Sequence, residues 1–478
     1  MVKKIGLYIF RRDLRLTDNL ALNLLAKQVD EIIPIFILDP NQIKKNNKNK
    51  YHFSESAVQF ICECLVNLNE QLHEYNSQLY LFMGEADKIV NKLINELNIN
   101  YVGFNLDFSP YAQKRDTKII SICDNKKIPV ITSDCDLTLL PTDLLLNNGK
   151  PFKVYGSFYK HAVKFKVNKP ERLPKVNFSN HISVKGNYPI NKLKNLYTEN
   201  KNLDQRGGLI ECMKRINNIK KQKKYNIMRD RLDYETTHLS AYLNMGIISR
   251  RQIYHIFKSK LGNKTQLLKQ CYWADFYLIA FRFIDNANSY KNYIDTRFDK
   301  IKWRKSSEFK KEFNTFWNSQ TGLLVIDAAI KQLRTTGYMH NRARMICVIY
   351  TCKYLMINML DPKWGSQCWY SRSLVDCMGS SNNKLNNNWA LDFDLTGRRF
   401  GTGISGRGMD VSNEKTIKDF DSDGNYIKKW LPHLKDVPIK DLKNWDKEIA
   451  EKYDNIHPYF KGDLKQMYLR WFQHTKTL

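Results

Sequence analysis

No apolar run in this 478-residue chain reaches the roughly 18 to 20 residues that a membrane helix needs, which argues against a spanning protein. Cysteine is scarce in the patterns that matter. Ten are present, but none forms a C-x-x-C pair or an even framework, so a disulfide scaffold and a zinc ribbon are both excluded. Cys347, Cys352, Cys368 and Cys377 cluster loosely, yet their spacing fits no ligand set, and they read as buried thiols with no metal. No G-x-G-x-x-G follows the first strand-like segment, so the usual dinucleotide fingerprint is missing. No repeat at a solenoid period is visible. Acidic residues are few beside basic ones, 48 against 77, which leaves a formal charge of +29. An excess of that size points to a polyanionic partner, nucleic acid first, or to a chain rich in lysine and asparagine throughout. At the amino terminus Lys3 and Lys4 precede Ile5–Phe10, but the apolar stretch runs at once into Arg11-Arg12-Asp13. That is too short for a signal core, so the segment reads as a first strand of an intracellular, soluble protein.

What is present divides the chain in three. Strand-like segments at Ile5–Phe10, Glu31–Leu38, Leu79–Met83, Tyr101–Asn105 and Pro129–Ser133 alternate with helical patterns, such as Val58, Ile61, Leu65, Leu68 and Leu72. Alternation of this kind predicts an α/β domain over residues 1–135, with a parallel sheet flanked by helices and ligands beyond the strands' carboxyl ends. Residues 136–205 turn irregular and lysine-rich, as a surface connector would. Residues 206–478 are helical in pattern almost to the end. Within that half, Thr236, Thr237 and Ser240 surround a turn that opens a helix; such hydroxyls either cap the helix or hold a diphosphate. Asn341, Arg344 and Met345 share a helix face by their spacing.

Four segments carry a family pattern. They are Phe10-Arg11-Arg12-Asp13-Leu14-Arg15-Leu16-Thr17-Asp18-Asn19; Thr236 to Leu243 with Gly246-Ile247-Ile248-Ser249-Arg250; Thr321-Gly322 and Asp327-Ala328-Ala329 leading to Gly337–Met345; and Leu374-Val375-Asp376 with Phe420-Asp421, Gly424–Ile427 and Trp430-Leu431-Pro432. In this order and spacing they resemble the photolyase/cryptochrome family along nearly the whole chain. The resemblance implies a large all-α domain that binds flavin adenine dinucleotide (FAD). Its phosphate site would be Thr236, Thr237, His238, Leu239 and Ser240, joined by Tyr225. Arg344, Asp376 and Met378 would line the flavin, with Asn382 opposite its N5. Trp273 would stack on the lesion, beside Gln270, Asn341 and Met345. Trp389, Trp364 and Trp303 line up with the family's electron relay, and Arg342 with a phosphate or lesion contact. Asn105–Tyr111 with Arg115-Asp116 is similar to the antenna-domain pattern and does not choose between a deazaflavin, methenyltetrahydrofolate, a second flavin or no antenna at all.

Three departures bear on substrate. Gln270 replaces the glutamate typical of cyclobutane-dimer enzymes, and an amide supplies no charge or proton. Enzymes for (6-4) photoproducts more often carry Gln there, but their histidine pair falls on Asn341 and Met345 in this chain. Met378 replaces a second aspartate near the flavin. Thr396–Asp410 is rich in glycine and carries Arg398, Arg399 and Arg407, which would follow a phosphate backbone or lie in an open surface loop. The implied function is light-dependent repair of cyclobutane pyrimidine dimers in ultraviolet-damaged DNA by electron transfer from reduced FAD, in a monomer. A (6-4) enzyme and a cryptochrome photoreceptor are the alternatives.

Overall fold

The computed structural model describes residues 3–43, 53–283, 301–358, 361, 363–364 and 410–475. Asp376, Met378, Asn382, Trp389, Arg398, Arg399, Arg407, Cys368 and Cys377 lie outside the described residues. Met1–Asn200, Gln205–Lys223 and Thr237–Asn288 form one compact unit, and Lys201–Asp204, Lys224–Thr236 and Ser289–Leu478 form another.

The first unit is built on β1 (Ile5–Phe10), β2 (Glu31–Leu38), β3 (Tyr80–Met83), β4 (Tyr101–Asn105) and β5 (Val130–Ser133). All five pair in parallel, in the order β3-β2-β1-β4-β5. Their near-continuous apolar sequence suits strands covered on both faces, and Leu7, Tyr8, Ile9 and Phe10 are all buried. The fifth strand begins one residue later than its sequence pattern. Pro129 has no N–H for the ladder and contributes only its carbonyl, which accepts from Val102 N at 3.1 Å. Ser54 caps the Glu55–His73 helix through Ala57 N, and Ser109 caps the Pro110–Asn125 helix through Ala112 N. Strand order reverses between β1 and β4, which puts the crevice of the sheet at their carboxyl ends.

Residues 136–205 differ from the expected surface connector. They hold the Tyr155–Ala162 helix, a short strand at Asn177–Phe178 that pairs with β2, and a 3-10 stretch at Ile190–Leu196. Phe158, Ala162, Phe178 and Leu193 are buried. These elements are too short to show a period in sequence, and the rings of this segment pack both on one another, as Phe152 does on Phe158, and on a distant helix, as Phe158 does on Phe276. The first unit also takes in the Leu209–Asn217, Ser240–Asn244, Arg250–Leu261 and Gln266–Phe283 helices. At Gly246, with φ +65°, an added Cβ would collide with the Arg12 carbonyl, so only glycine lets this turn meet the end of β1.

The second unit is helical. Its core gathers Phe309, Phe313 and Phe316 of the Ser306–Trp317 helix, the apolar face of Leu324–Thr336, and the Asn341–Ile349 helix. Gly337, with φ +66°, ends the second of these in a left-handed cap. Fully buried Asp327 ties the unit together. Its carboxylate accepts from Thr321 N at 2.9 Å, Thr321 Oγ1 at 2.8 Å and Gly322 N at 2.8 Å, and meets His457 Nε2 at 3.0 Å.

Candidate functional site

The carboxyl ends of β1 and β4 carry a buried polar cluster. Tyr8 OH donates to Asp13 Oδ2 at 2.6 Å, and Asn105 Nδ2 donates to the same oxygen and to Asn19 Oδ1, each at 2.7 Å. Burial, then the nearby Asp136 charge, raises the Asp13 carboxyl above its ordinary range. Arg11 pairs with Asp116 at 2.8 Å and lies 3.9 Å from the centroid of the Phe104 ring. Burial, followed by repulsion from Arg115, pushes the Arg11 guanidinium down to about 10. Tyr111, at the start of the next helix, hydrogen-bonds Asp39 at the end of β2, and Arg115 lies 5.8 Å from its ring centroid. Arg11 Nη2, Arg115 Nη2 and Asp116 Oδ2 are buried with no hydrogen-bond partner. Orphaned donors and an acceptor side by side fit a polar ligand group at this end of the sheet.

A second site lies on the Gln266–Phe283 helix of the same unit. Gln270 and Trp273 are one turn apart, share a face and are both half-buried. Gln270 makes no side-chain hydrogen bond among the described residues. Trp273 is not the isolated flat surface its sequence suggests. Tyr155 stacks on it, with centroids 3.4 Å apart and planes 5° from parallel, and Tyr277 stacks at 5.5 Å and 28°. Tyr155 was not legible in the sequence, because nothing in a 118-residue separation signals the pairing.

The turn before the Ser240–Asn244 helix belongs partly to each unit. On the first unit's side, His238 has a left-handed backbone (φ +48°), and its carbonyl accepts from Gln205 Nε2 at 2.5 Å. Leu239 is the N-cap residue, no side chain caps this helix, and Ser240 is exposed. The capping alternative for these hydroxyls therefore fails in this structure. At its other end the short helix receives Arg12, whose Nε donates to Asn244 O at 2.9 Å. On the second unit's side, Thr236 Oγ1 lies 3.2 Å from Tyr338 OH, and burial raises the Tyr225 phenol.

Also in the second unit, Asn341 opens the Asn341–Ile349 helix. His340 Nδ1 accepts from Arg342 N at 3.1 Å, and Arg342 Nη1 reaches the Met345 sulfur at 3.3 Å. Arg342 Nε and Nη2 both lie 2.9 Å from Asp230 Oδ1. Arg344 Nε donates to Met339 O at 2.8 Å; its expected partner, Asp376, is outside the described residues. Of the expected relay, Trp303 meets Trp471 at 5.8 Å, whereas Trp364 packs edge-on against Phe313 at 5.0 Å. No ring contact joins Trp303 to Trp364 among the described residues.

A family model described as DNA photolyase matches residues 6–176, and one described as the FAD binding domain of DNA photolyase matches residues 267–471. The chain belongs to the DNA photolyase family. The photolyase is 26% identical over 464 residues to the deoxyribodipyrimidine photo-lyase of Synechococcus, covering 91% of this chain and 89% of that one. It is 26% identical over 461 residues to a (6-4)DNA photolyase of Arabidopsis thaliana, covering 90% and 79%. Among solved structures, an archaeal photolyase from Sulfolobus tokodaii with two FAD molecules matches with a TM-score of 0.83 at 26% identity, over 99% and 100% of the chains. A Synechocystis cryptochrome shares the fold, with a TM-score of 0.86 at 19% identity over 99% of each chain.

The photolyase chain thus binds FAD, and its residues fit that cofactor. Hydroxyls at Thr236, Thr237 and Ser240, left out of helix capping, suit a diphosphate. Among the described residues no helix is long and apolar enough to cross a membrane. Cys347 and Cys352 are buried thiols, and burial raises the pKa of Cys347.

Two expected results follow from the Trp273 helix. Gln270→Leu removes an amide available to a ligand and should weaken binding of damaged DNA about fivefold in a titration, with melting temperature unchanged. Asp275, two residues past Trp273, is fully buried and accepts from Leu139 N at 3.0 Å. Burial pushes its carboxyl up to about 7. The folded state therefore holds a proton that the unfolded chain has already released above its ordinary value of 3.8. Stability from this group is complete below that value and is lost as pH rises through about 7. The loss is on the order of 4 kcal/mol. Asp421, pushed up to about 6 by its own burial, acts in the same direction in the other unit. Denaturation midpoints at pH 5 and pH 8 should differ less in Asp275→Asn than in the parent.

Proposed function

We propose that this photolyase reverses cyclobutane pyrimidine dimers in ultraviolet-damaged DNA under light. The observation that carries the reading is the pairing of Gln270 with Trp273. A fixed aromatic ring and an amide with no side-chain hydrogen bond among the described residues sit one turn apart, on a helix of a chain whose FAD-binding half is shown by its family. Relatives from several bacteria and an archaeon carry the name deoxyribodipyrimidine photo-lyase, which favours the same lesion. Reduced FAD, when bound, supplies an electron to the lesion on absorbing blue or near-ultraviolet light.

The chain's own residues bind and orient. On the family resemblance, Thr236, Thr237 and Ser240 would hold the cofactor's phosphates, and Tyr225 and Arg344 would contribute to its site; Asp376, Met378 and Asn382, assigned to the flavin, lie outside the described residues. Trp273 stacks on the extruded dimer and Gln270 hydrogen-bonds its base edge. Asn341 and Met345, in the second unit, are candidates for lesion contact on the family resemblance alone. A dimer already disturbs stacking, so its extrusion costs no more than a few kcal/mol. Arg342, paired with Asp230 in this structure, is a candidate phosphate contact, as are Arg398, Arg399 and Arg407 outside the described residues. Trp303, Trp364 and Trp389 are assigned to the electron relay on the family resemblance alone: Trp389 lies outside the described residues, and Trp303 and Trp364 make no ring contact with each other among the described ones. The orphaned atoms of Arg11, Arg115 and Asp116 would receive a polar group of a second chromophore where one is bound. The protein acts as a monomer.

The (6-4) reading has a relative in its favour, but Asn341 and Met345 offer no proton donor pair, and His340 Nδ1 is engaged by the backbone. Competition binding separates the lesions. Oligomers carrying one cyclobutane dimer, one (6-4) photoproduct or no damage should rank in that order, with the first tightest by at least tenfold. A (6-4) oligomer that binds tightest overturns the lesion assignment.

A further inference from the structure

The Tyr155–Trp273 stack has no role in the function just described, and its geometry is unusual. Free aromatic pairs avoid the direct face-to-face arrangement, since their like quadrupoles repel, and settle offset or edge-on. Here the centroids are only 3.4 Å apart, with 5° between the planes. Something else must hold the two rings together, and two anchors are present. Tyr155 OH donates to Lys269 O at 3.1 Å, on the same helix as Trp273 and one turn before it. Buried Phe276 stands edge-on to both rings, at 5.7 Å and 80° from Tyr155 and 5.8 Å and 84° from Trp273. Tyr159, one turn along from Tyr155, stacks on it in turn at 5.7 Å and 24°, with Lys269 Nζ 5.6 Å from its centroid. Tyr155 thus lies directly on Trp273, while Tyr159 and Tyr277 stand further off at 5.7 Å from Tyr155 and 5.5 Å from Trp273; the four rings come from two helices and each is half-buried.

We propose that Tyr155 is a positioning residue for lesion recognition: it occupies one face of Trp273, fixes the plane of the indole before DNA arrives, and confines an extruded base to the surface that Trp273 leaves exposed. The inference rests on the assignment of Trp273 to lesion stacking. The physical gain is preorganisation. An indole free to turn about two side-chain torsions would lose that freedom on binding, whereas one clamped by a tyrosine loses little. The clamp acts on recognition and not on the cofactor, so it should alter lesion affinity without altering light absorption. Tyr155 also comes from the segment between the sheet and the later helices, which gives that segment a part in substrate choice.

The test compares Tyr155→Phe, Tyr155→Leu and Tyr155→Met, with Trp273→Phe and Tyr159→Leu as references, all as full chains with FAD. The readouts are affinity for a cyclobutane-dimer oligomer and for the undamaged oligomer, rate of repair at saturating DNA, melting temperature, and near-ultraviolet circular dichroism of the stacked pair. Tyr155→Phe keeps the ring and its Phe276 contact but loses the Lys269 anchor, and should bind the lesion more weakly than the parent and more tightly than Tyr155→Leu. Tyr155→Leu and Tyr155→Met should lose the dichroism of the pair and about five- to tenfold in lesion affinity, with binding of undamaged DNA and the rate at saturation unchanged. Tyr159→Leu, which does not touch Trp273, should match the parent. Because Met fills the space without a ring, it covers the case in which Leu lowers the melting temperature. Parental lesion affinity in any folded variant lacking the ring overturns the proposal, as does an equal loss for damaged and undamaged DNA. If Trp273→Phe is also without effect, the assignment of Trp273 has failed instead; if Trp273→Phe weakens lesion binding and the Tyr155 variants do not, the positioning role alone has failed.

Discussion

Asp327→Ala should cost the photolyase about 3–5 kcal/mol of folding stability, a large share of the roughly 5–15 kcal/mol that keeps a typical domain folded. The carboxylate is wholly buried and satisfies two backbone donors, one hydroxyl and one imidazole. Its removal strands all four in an apolar core, and each buried polar group left unpaired costs on the order of 1–3 kcal/mol. The neighbourhood has no room to rearrange. Gly322, with φ +78°, packs so closely on the backbone of Tyr459 and Phe460 that even a methyl group would not fit. His457 in turn lies 3.1 Å from His433, so the chain of contacts runs from the core to an exposed histidine. Chemical denaturation followed by far-ultraviolet dichroism gives the number directly. A loss below about 1 kcal/mol would mean that Asp327 is not the anchor its contacts describe.

The second large effect is functional. Trp273→Ala should weaken binding of a dimer-containing oligomer about 10- to 100-fold, the range that one base–aromatic stack supports. Undamaged DNA, held by phosphate contacts, should bind within a factor of two of the parent at the same salt concentration. The flavin absorbance of the purified variant should also be unchanged. Fluorescence anisotropy with the two oligomers measures both affinities. An equal fall for both would make Trp273 a packing residue, consistent with its Tyr155, Phe276 and Tyr277 neighbours and with no role in reading damage.

The strands were legible because a parallel sheet leaves a strong trace: runs such as Ile5–Phe10 and Tyr101–Asn105, bounded by polar residues and separated by helical periods. A helix carrying Asn341, Arg344 and Met345 was legible from their three- and four-residue spacing, though not that Asn341 opens it. Contacts over long separations were not. Nothing local tells that Asn105 donates to Asp13, that His457 meets Asp327, or that Tyr155 lies on Trp273. Such pairs are set by how elements pack, and a hydrogen-bonding or aromatic residue looks the same in sequence whether or not it finds a partner. The connector shows the cost of reading periodicity alone. Its helix at Tyr155–Ala162 spans two turns, too few to mark an apolar face, yet it contributes the ring that covers Trp273. The family pattern supplied what periodicity could not, namely the proposed roles of Thr236, Thr237 and Ser240 at the cofactor and of Trp273 at the lesion.

The most direct test of light-driven dimer reversal is repair of an oligomer carrying one cyclobutane thymine dimer by the purified protein with its FAD reduced, in light and in the dark. Restoration of both thymines in light alone is the predicted result, with Gln270 then an amide in place of an acid at a working lesion site. No restoration in light, with FAD bound and the oligomer saturating, would contradict it.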